Sequence, residues 1–202
     1  MTDSCNINCI ILFLATASEP LDIGYVIGYP IGLSRDNLDK QKQLTVNSFK
    51  ALLKRASSVN AGYMVYGNAV TSQKYPGTRS GHAGFMNAVS TFDNYPGRKS
   101  LADALDRVPG TLFRSGAKPE DSIVVIYANR QLSTDDANAI RKLGDQGFHV
   151  QLISIGDDII TKDDPILKSI GPINPVLNPN PDRENDIDAI TKNLVKGKRE
   201  KV

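Results

Sequence analysis

The stretch Gly97-Arg98-Lys99-Ser100 has residue types that could bind a phosphate group, because it resembles the end of a phosphate-binding loop. The full motif requires a glycine five residues before a Gly-Lys pair. Here Gly97 is followed by Arg98, and position 92 is Phe92. No Gly-x-Gly-x-x-Gly fingerprint is present either. The sequence therefore offers no credible loop for nucleotide phosphates.

Metal ligands and nucleophiles are also scarce. The only histidines, His82 and His149, lie far apart, and the only cysteines are Cys5 and Cys9. This excludes a disulfide framework in the body of the chain and argues against zinc bound by Cys and His. We expect both histidines to be structural or on the surface. The pair Asp157-Asp158, after a predicted strand, is consistent with either a cation site or a solvated loop.

Composition indicates an ordinary globular protein of one domain. The chain has 202 residues, of which 40% are hydrophobic and 23% charged. Its net charge is +2, from 24 basic and 22 acidic residues, so overall charge gives no case for a nucleic-acid partner. We expect the short basic tail, residues 198–202, to be solvated.

The N-terminal segment has two interpretations. An apolar run ends in Ala15-Thr16-Ala17, which fits a cleavage pattern and predicts a signal peptide over residues 1–17. Asp3 and the absence of Lys or Arg before the run count against a signal peptide; the other interpretation is a native segment, either a buried first strand or a truncated start. The run is too short to span a bilayer as a helix, so we expect no membrane span.

From Asp22 onward the pattern alternates strands and helices. The predicted strands are Ile23–Ile27, Ala61–Gly67, Ser122–Tyr127, Phe148–Ile155 and Pro175–Leu177. The predicted helices are one capped by Asp36 or Asn37, Phe85–Phe92, Ser100–Val108, one from the Ser133/Asp136 capping box to Gly147, Ile166–Ile170 and Asp186–Lys196. We expect a hairpin or loop over residues 68–81 and a rigid loop over residues 174–182. The order predicts a Rossmann-like three-layer α/β/α sandwich with a mostly parallel central sheet.

In this order, the segments resemble a von Willebrand factor A (vWA) domain. The resemblance is carried by Asp22–Ile27 with Arg35–Lys42, Ala61–Gly67, Tyr95–Asp106, Ile123–Ile126 with Ser133–Ala137, Gly147–Gly156 and Asp186–Leu194. It covers nearly the whole chain, and we assign the vWA-like domain to residues 18–197. The ordered set is more specific than any single segment.

The resemblance also locates the family's metal-ion-dependent adhesion site, where three loops hold one divalent cation. The family's first loop, Asp-x-Ser-x-Ser, corresponds here to Gly28, Pro30 and Gly32. The threonine of its second loop corresponds to Lys99, and the aspartate of its third to Ala128. Glycine, proline and alanine offer no side-chain oxygen to Mg²⁺, and lysine adds a repelling charge. We therefore expect a degenerate site with no metal and no other cofactor.

The same loops supply the candidate protein-binding residues: Tyr29, Pro30, Lys99 and Asn129. Two roles are open for Lys99. Its ammonium could meet an acidic group of a partner directly, or it could point to solvent or pair with Asp103, which is the simpler expectation. A helix face or a sheet edge could also be the contact surface.

The resemblance implies a non-enzymatic protein-binding or adhesion domain, secreted or associated with the extracellular matrix, with a protein ligand. One alternative is an intracellular, cytoplasmic scaffold domain. Another is an enzyme on a doubly wound fold. The sequence argues against an enzyme, because it offers no nucleophile–base pair. The sequence does not predict the partner's identity or the oligomeric state.

Overall fold

The protein is described from a computed structural model. The described residues are 20–56, 58–93, 95–156, 160, 164–171, 173 and 175–199. The predicted signal peptide, the two cysteines, the pair Asp157-Asp158 and residues 200–202 of the basic tail lie outside them.

The described strands form one sheet with the order β3-β2-β1-β4-β5-β6. They are β1 (Leu21–Gly28), β2 (Val59–Tyr66), β3 (Val70–Tyr75), β4 (Ser122–Ala128), β5 (His149–Ser154) and β6 (Val176–Leu177). All neighbouring strands are parallel except β3, which runs antiparallel to β2 at one edge.

Helices cover both faces of the sheet. They are α1 (Arg35–Leu53), α2 (Arg79–Thr91), α3 (Leu101–Leu105), α4 (Val108–Thr111), α5 (Thr134–Asp145), α6 (Pro165–Ile170) and α7 (Glu184–Arg199), with a 3-10 turn at Pro119–Asp121. Buried residues of α1, α2 and α7 share one core cluster, and those of α3 to α6 share the other. The prediction of a three-layer α/β/α sandwich with a mostly parallel sheet is confirmed.

Alternation along the central strands supplies both clusters. On β1, Tyr25 and Ile27 face the α1 side, and Val26 between them faces the α5 side. On β4, Val125 and Ile126 divide in the same way. Continuous apolar runs are typical of parallel strands with helices on both faces.

Three local predictions need correction. The cap of α1 is Ser34 rather than Asp36 or Asn37: its hydroxyl accepts a hydrogen bond from the Asn37 N–H at 3.2 Å. The hairpin predicted within residues 68–81 is present, because β3 follows β2 and pairs antiparallel with it. The last residues of this range start α2, however, so this helix begins six residues before the predicted Phe85. Thr78 caps it by accepting the Gly81 N–H at 3.1 Å. Buried Phe85 and Val89 stabilise a first turn whose own helix propensity is low.

The helix predicted at Ser100–Val108 is two short helices, α3 and α4. Ser100 and Asp103 form a capping box at the start of α3. Pro109 lies in the first turn of α4, where its missing N–H costs no helical hydrogen bond. The Ser133/Asp136 capping box of α5 is confirmed.

The strand order reverses between β1 and β4, because β1 leads to β2 on one side and β4 lies on the other. In open α/β sheets, ligands bind at such a switch point, beyond the carboxyl ends of the strands. Here that position lies beyond Gly28 and Ala128. None of the described helices is long and apolar enough to cross a membrane.

Candidate functional site

The candidate site is formed by three loops at the switch point: residues 29–34 after β1, residues 95–100 before α3, and residues 129–133 after β4. They carry the candidate residues named from the sequence. Tyr29 and Pro30 are half-buried, whereas Gly32, which has a φ of 92°, is exposed. Ala128 is buried at the end of β4.

The backbone of Gly28 is fully engaged by side chains. Its N–H donates to Gln41 Oε1 at 3.0 Å, and its carbonyl oxygen accepts from Gln41 Nε2 at 3.0 Å. The same carbonyl accepts from Asn129 Nδ2 at 3.2 Å. Gln41 comes from α1 and has no exposed surface. The end of β1 is therefore held by α1 on one side and by the loop after β4 on the other.

No room exists for a side chain at position 28. A Cβ on Gly28 would lie 2.5 Å from both Cζ and the hydroxyl oxygen of Tyr66, and 2.7 Å from Asn129 Nδ2. Tyr66 is 1% exposed, and burial raises the pKa of its phenol, against the opposing effects of the nearby Arg130 charge and the Asn129 amide. We call Gly28, Gln41, Tyr66 and Asn129 the polar plug, because together they fill the space beside the end of β1.

Asn129 has one unsatisfied atom. The residue is 8% exposed, and its Oδ1 has no hydrogen-bond partner within the described part of the chain. Its Nδ2 is bound to Gly28, so the side chain acts here by positioning the end of β1 rather than as an exposed contact.

The loops after β1 and before α3 are joined by a short parallel bridge between Pro30 and Gly97. The Gly97 N–H donates to the Tyr29 carbonyl at 3.2 Å, and the Ile31 N–H donates to the Gly97 carbonyl at 3.1 Å. A Cβ on Gly97 would lie 2.2 Å from backbone atoms of Gly67, so only glycine fits this crossing without displacement. The bridge fixes the two loops relative to each other.

Lys99 is exposed, and its backbone N–H donates to the Gly67 carbonyl at 3.0 Å. Its ammonium has no ion-pair partner within 4.0 Å among the described residues. The ion pair between Lys99 and Asp103 that the sequence suggests is therefore not formed within 4.0 Å. Asp103 accepts from Ser100 instead, which is the main reason that its pKa is lowered; the Lys99 charge adds to this effect.

A buried carboxylate links the loop after β4 to α3. Asp136, in α5, accepts from the Ser133 N–H at 2.9 Å and from the Ala102 N–H at 3.2 Å. Its Oδ2 also lies 2.8 Å from Arg130 Nη2. The Asp136 side chain is 1% exposed and that of Arg130 is 42% exposed. This carboxylate therefore ties the loop after β4 to the start of α3, the helix that follows the second site loop.

The donors at the switch point do not fit a divalent cation. They are backbone groups already bonded to Gln41 and Asn129, a buried phenol, an exposed lysine and one unbonded side-chain oxygen, Asn129 Oδ1. Among the described residues no group of three or more His, Cys, Asp or Glu could hold a metal. Hard cations such as Mg²⁺ require several oxygen ligands in octahedral order.

Both histidines lie at the opposite end of the sheet. His82 Nε2 lies 2.8 Å from the carbonyl oxygen of Val59, the first residue of β2. His149, the first residue of β5, places Nε2 at 3.1 Å from the Glu120 carbonyl oxygen. These contacts give both side chains structural partners away from the loops.

Sequence reasoning missed Gln41 and Tyr66. Gln41 is one of many polar residues in an amphipathic helix. Tyr66 is the last residue of an apolar strand. Neither position has a local pattern that predicts a contact with Gly28. Long-range packing alone brings them there.

No family model and no curated protein matches the sequence. Solved structures do resemble it. A von Willebrand factor type A structure from Catenulispora acidiphila has a TM-score of 0.64 at 13% identity and covers 87% of this chain and 43% of its own. Proximal thread matrix protein 1 from the mussel byssus, solved with a zinc-occupied MIDAS motif, has a TM-score of 0.62 at 16% identity. The match covers 87% of this chain and 46% of the mussel chain.

A conserved hypothetical protein, BatB, from Bacteroides thetaiotaomicron has a TM-score of 0.61 at 10% identity, over 89% of this chain and 99% of its own. The present chain spans less than half the length of the Catenulispora and mussel chains. At sequence identities this low, the similarity shows a shared fold and nothing about function.

Proposed function

We propose that this chain, which has the fold of a von Willebrand factor A domain, is a non-enzymatic protein-binding module that works without a bound metal. The observation that carries the proposal is the filled space at Gly28. An acidic side chain at this position would overlap Tyr66 and Asn129. The site therefore differs from a metal site in its packing as well as in its ligands.

Binding is favoured over catalysis by the chemistry of the three loops. Within the polar plug, Gln41 and Asn129 Nδ2 are bonded to the backbone of Gly28, and Asn129 Oδ1 has no partner in the described part of the chain. Catalysis needs a nucleophile or base within reach of a reacting group, and the loops present none in such an arrangement. They present instead a fixed surface with exposed side chains.

The proposed contact surface consists of Tyr29, Pro30 and Lys99. Asn129 positions the end of β1 behind this surface through its hydrogen bond to Gly28. We propose that Gly28, Pro30, Gly32, Lys99 and Ala128 are the positions at which metal ligation has been lost. The mussel protein, solved with zinc in its MIDAS motif, has the same fold with that motif occupied.

We further propose that the partner is a protein outside the cell, of the extracellular matrix or the cell surface. The apolar run ending in Ala15-Thr16-Ala17 supports secretion. A matrix protein of the mussel byssus with the same fold supports the class of partner. Sequencing the N-terminus of the mature protein tests secretion: a start near Ser18 is expected, and an intact Met1 contradicts it.

The experiment for metal-free binding is a pull-down from extracellular extract with the purified chain, run in parallel with EDTA and with Mg²⁺. The proposal predicts the same bound proteins in both. Proteins that bind only with Mg²⁺ would contradict it.

A further inference from the structure

Two exposed apolar side chains lie beside the bridge that joins the first two site loops. Ile31 is 64% exposed and Tyr95 is 72% exposed. Among the described residues, the large apolar side chains classed as exposed are these two and Leu177. Ile31 is adjacent to Pro30, and Tyr95 is two residues from Gly97, the partner of Pro30 in the bridge. Exposed apolar groups clustered in this way mark interaction sites more often than isolated ones do.

Positive charge surrounds these side chains. The three site loops contain Arg98, Lys99 and Arg130 and no acidic residue. Arg98 and Lys99 are exposed, and neither has an ion-pair partner within 4.0 Å in the described part of the chain. Arg130 is neutralised by Asp136. Two exposed cations without an ion-pair partner at that distance among the described residues therefore lie within four residues of Tyr95.

The loops are also fixed before any partner arrives. The bridge at Gly97, the bond from the Lys99 N–H to Gly67 and the bonds to Asp136 tie them to the sheet and to each other. Binding then costs little loop ordering, which favours affinity for a small contact.

We propose that the cationic patch, defined as Ile31, Tyr95, Arg98 and Lys99, binds an acidic segment of a protein in which a large apolar side chain adjoins the carboxylates. Arg98 and Lys99 meet the carboxylates directly, and Ile31 and Tyr95 cover the apolar side chain. This inference rests on the proposed function and names the chemistry of its partner. A carboxylate is recognised here by side-chain cations with no metal between them.

An array of random 12-residue peptides, probed with the purified chain in EDTA, tests the proposal. Bound peptides are expected to be enriched in Asp or Glu within two positions of Leu, Phe or Tyr. Fluorescence anisotropy with a selected peptide then gives affinities. Binding is expected to weaken as NaCl rises from about 0.05 to 0.5 M, because surface charges are screened.

The discriminating variant is Arg98→Ser/Lys99→Ser, which is expected to weaken peptide binding about 10-fold or more. The matched control is Lys50→Ser/Lys54→Ser. It removes the same charge from exposed positions at the far end of α1, about 28 Å from the loops at 1.5 Å per residue. The control is expected to change affinity less than about twofold. Ile31→Ser tests the apolar half and is expected to weaken binding several-fold.

The proposal is overturned if no peptide binds, if bound peptides lack acidic residues, or if the two double variants weaken binding equally. Competition by heparin without any acidic peptide among the binders would assign the patch to a sulfated polysaccharide and also overturn it. If extracellular proteins bind in EDTA and the loop variant leaves them unaffected, the proposed function stands and this inference fails. If binding requires Mg²⁺, the proposed function itself fails.

Discussion

Gly28 shows how one residue decides what its surroundings can contain. The space that a side chain at this position would need is occupied by the Tyr66 phenol and the Asn129 amide. Gln41 then satisfies both backbone groups of the glycine. An acidic residue at this position would add a carboxylate to a buried space that is already occupied.

Gly28→Asp is therefore expected to lower the free energy of unfolding by about 2–4 kcal/mol, from overpacking and from a buried carboxylate without partners. Urea denaturation measures this change. Adding Mg²⁺ is not expected to recover the lost stability, since Lys99 and Ala128 still supply no ligand.

The matched control is Gly144→Ala near the end of α5, where an added Cβ meets no atom within 4 Å. It is expected to leave stability unchanged or raise it by up to about 1 kcal/mol. A fully stable Gly28→Asp variant would show that Tyr66 moves aside easily, and the account of a filled site would be wrong.

Buried tyrosines predict how stability depends on pH. Burial raises the pKa of Tyr63 from 10.0 to about 12, and it raises the pKa values of Tyr25, Tyr66 and Tyr127 further. Because the pKa values in the folded chain lie above the unfolded value of 10.0, the buried tyrosines contribute their full share to the free energy of unfolding below pH 10. It is lost as pH rises from 10 to 12 and beyond, at up to about 1.4 kcal/mol per pH unit for each tyrosine.

Absorbance of tyrosinate and circular dichroism, recorded together from pH 8 to 12.5, check this prediction: ionisation of the buried tyrosines should coincide with unfolding. Tyr66→Phe should reduce the slope. The buried Lys42, whose pKa is lowered from 10.5 by burial, acts in the opposite direction, but only below pH 10.5, so it does not offset the loss of stability at higher pH. Ionisation of all tyrosines near pH 10 in a folded chain would contradict the burial described here.

At the scale of elements, Asp136 connects the loop after β4 to the helices α3 and α5. Its carboxylate caps α5 through Ser133, accepts the Ala102 N–H of α3 and pairs with Arg130. Asp136→Asn keeps the shape but removes the charge, and is expected to cost about 1–3 kcal/mol. Hydrogen exchange should become faster in residues 95–103 and 129–136 together.

Asp103→Asn is the control for this prediction. Asp103 belongs to an exposed capping box of the same kind in α3, so its loss is expected to cost about 1 kcal/mol or less. Faster exchange should then stay within the first turn of α3. Equal effects of the two variants would mean that Asp136 acts only as a helix cap.

Local signals explain which elements the sequence could predict. The run Ser122–Tyr127 and the Ser133/Asp136 capping box are complete within a few residues, and both were predicted correctly. The start of α2 was missed because Ser80, Gly81 and Gly84 are weak helix formers, and the helix is stabilised by the burial of Phe85 in the core. The polar plug was missed for the same reason: Gln41 and Tyr66 meet Gly28 only through the tertiary fold.

At the scale of the whole molecule, the chain has a fold that it shares with solved vWA structures. The TM-scores to three of them are 0.61 to 0.64, at sequence identities of 10–16%. The order of apolar segments is enough to predict this scaffold, because the core needs only hydrophobicity and volume. The partner is not predictable in this way, since it depends on a few exposed side chains.

The most direct measurement of the central claim is a titration of the purified chain with Mn²⁺, followed by isothermal calorimetry and by the electron paramagnetic resonance signal of the free ion. The filled space at Gly28 and the charge of Lys99 predict no uptake up to millimolar Mn²⁺ and an unchanged melting temperature in EDTA. Uptake of one ion per chain at the ends of β1 and β4 would contradict the account.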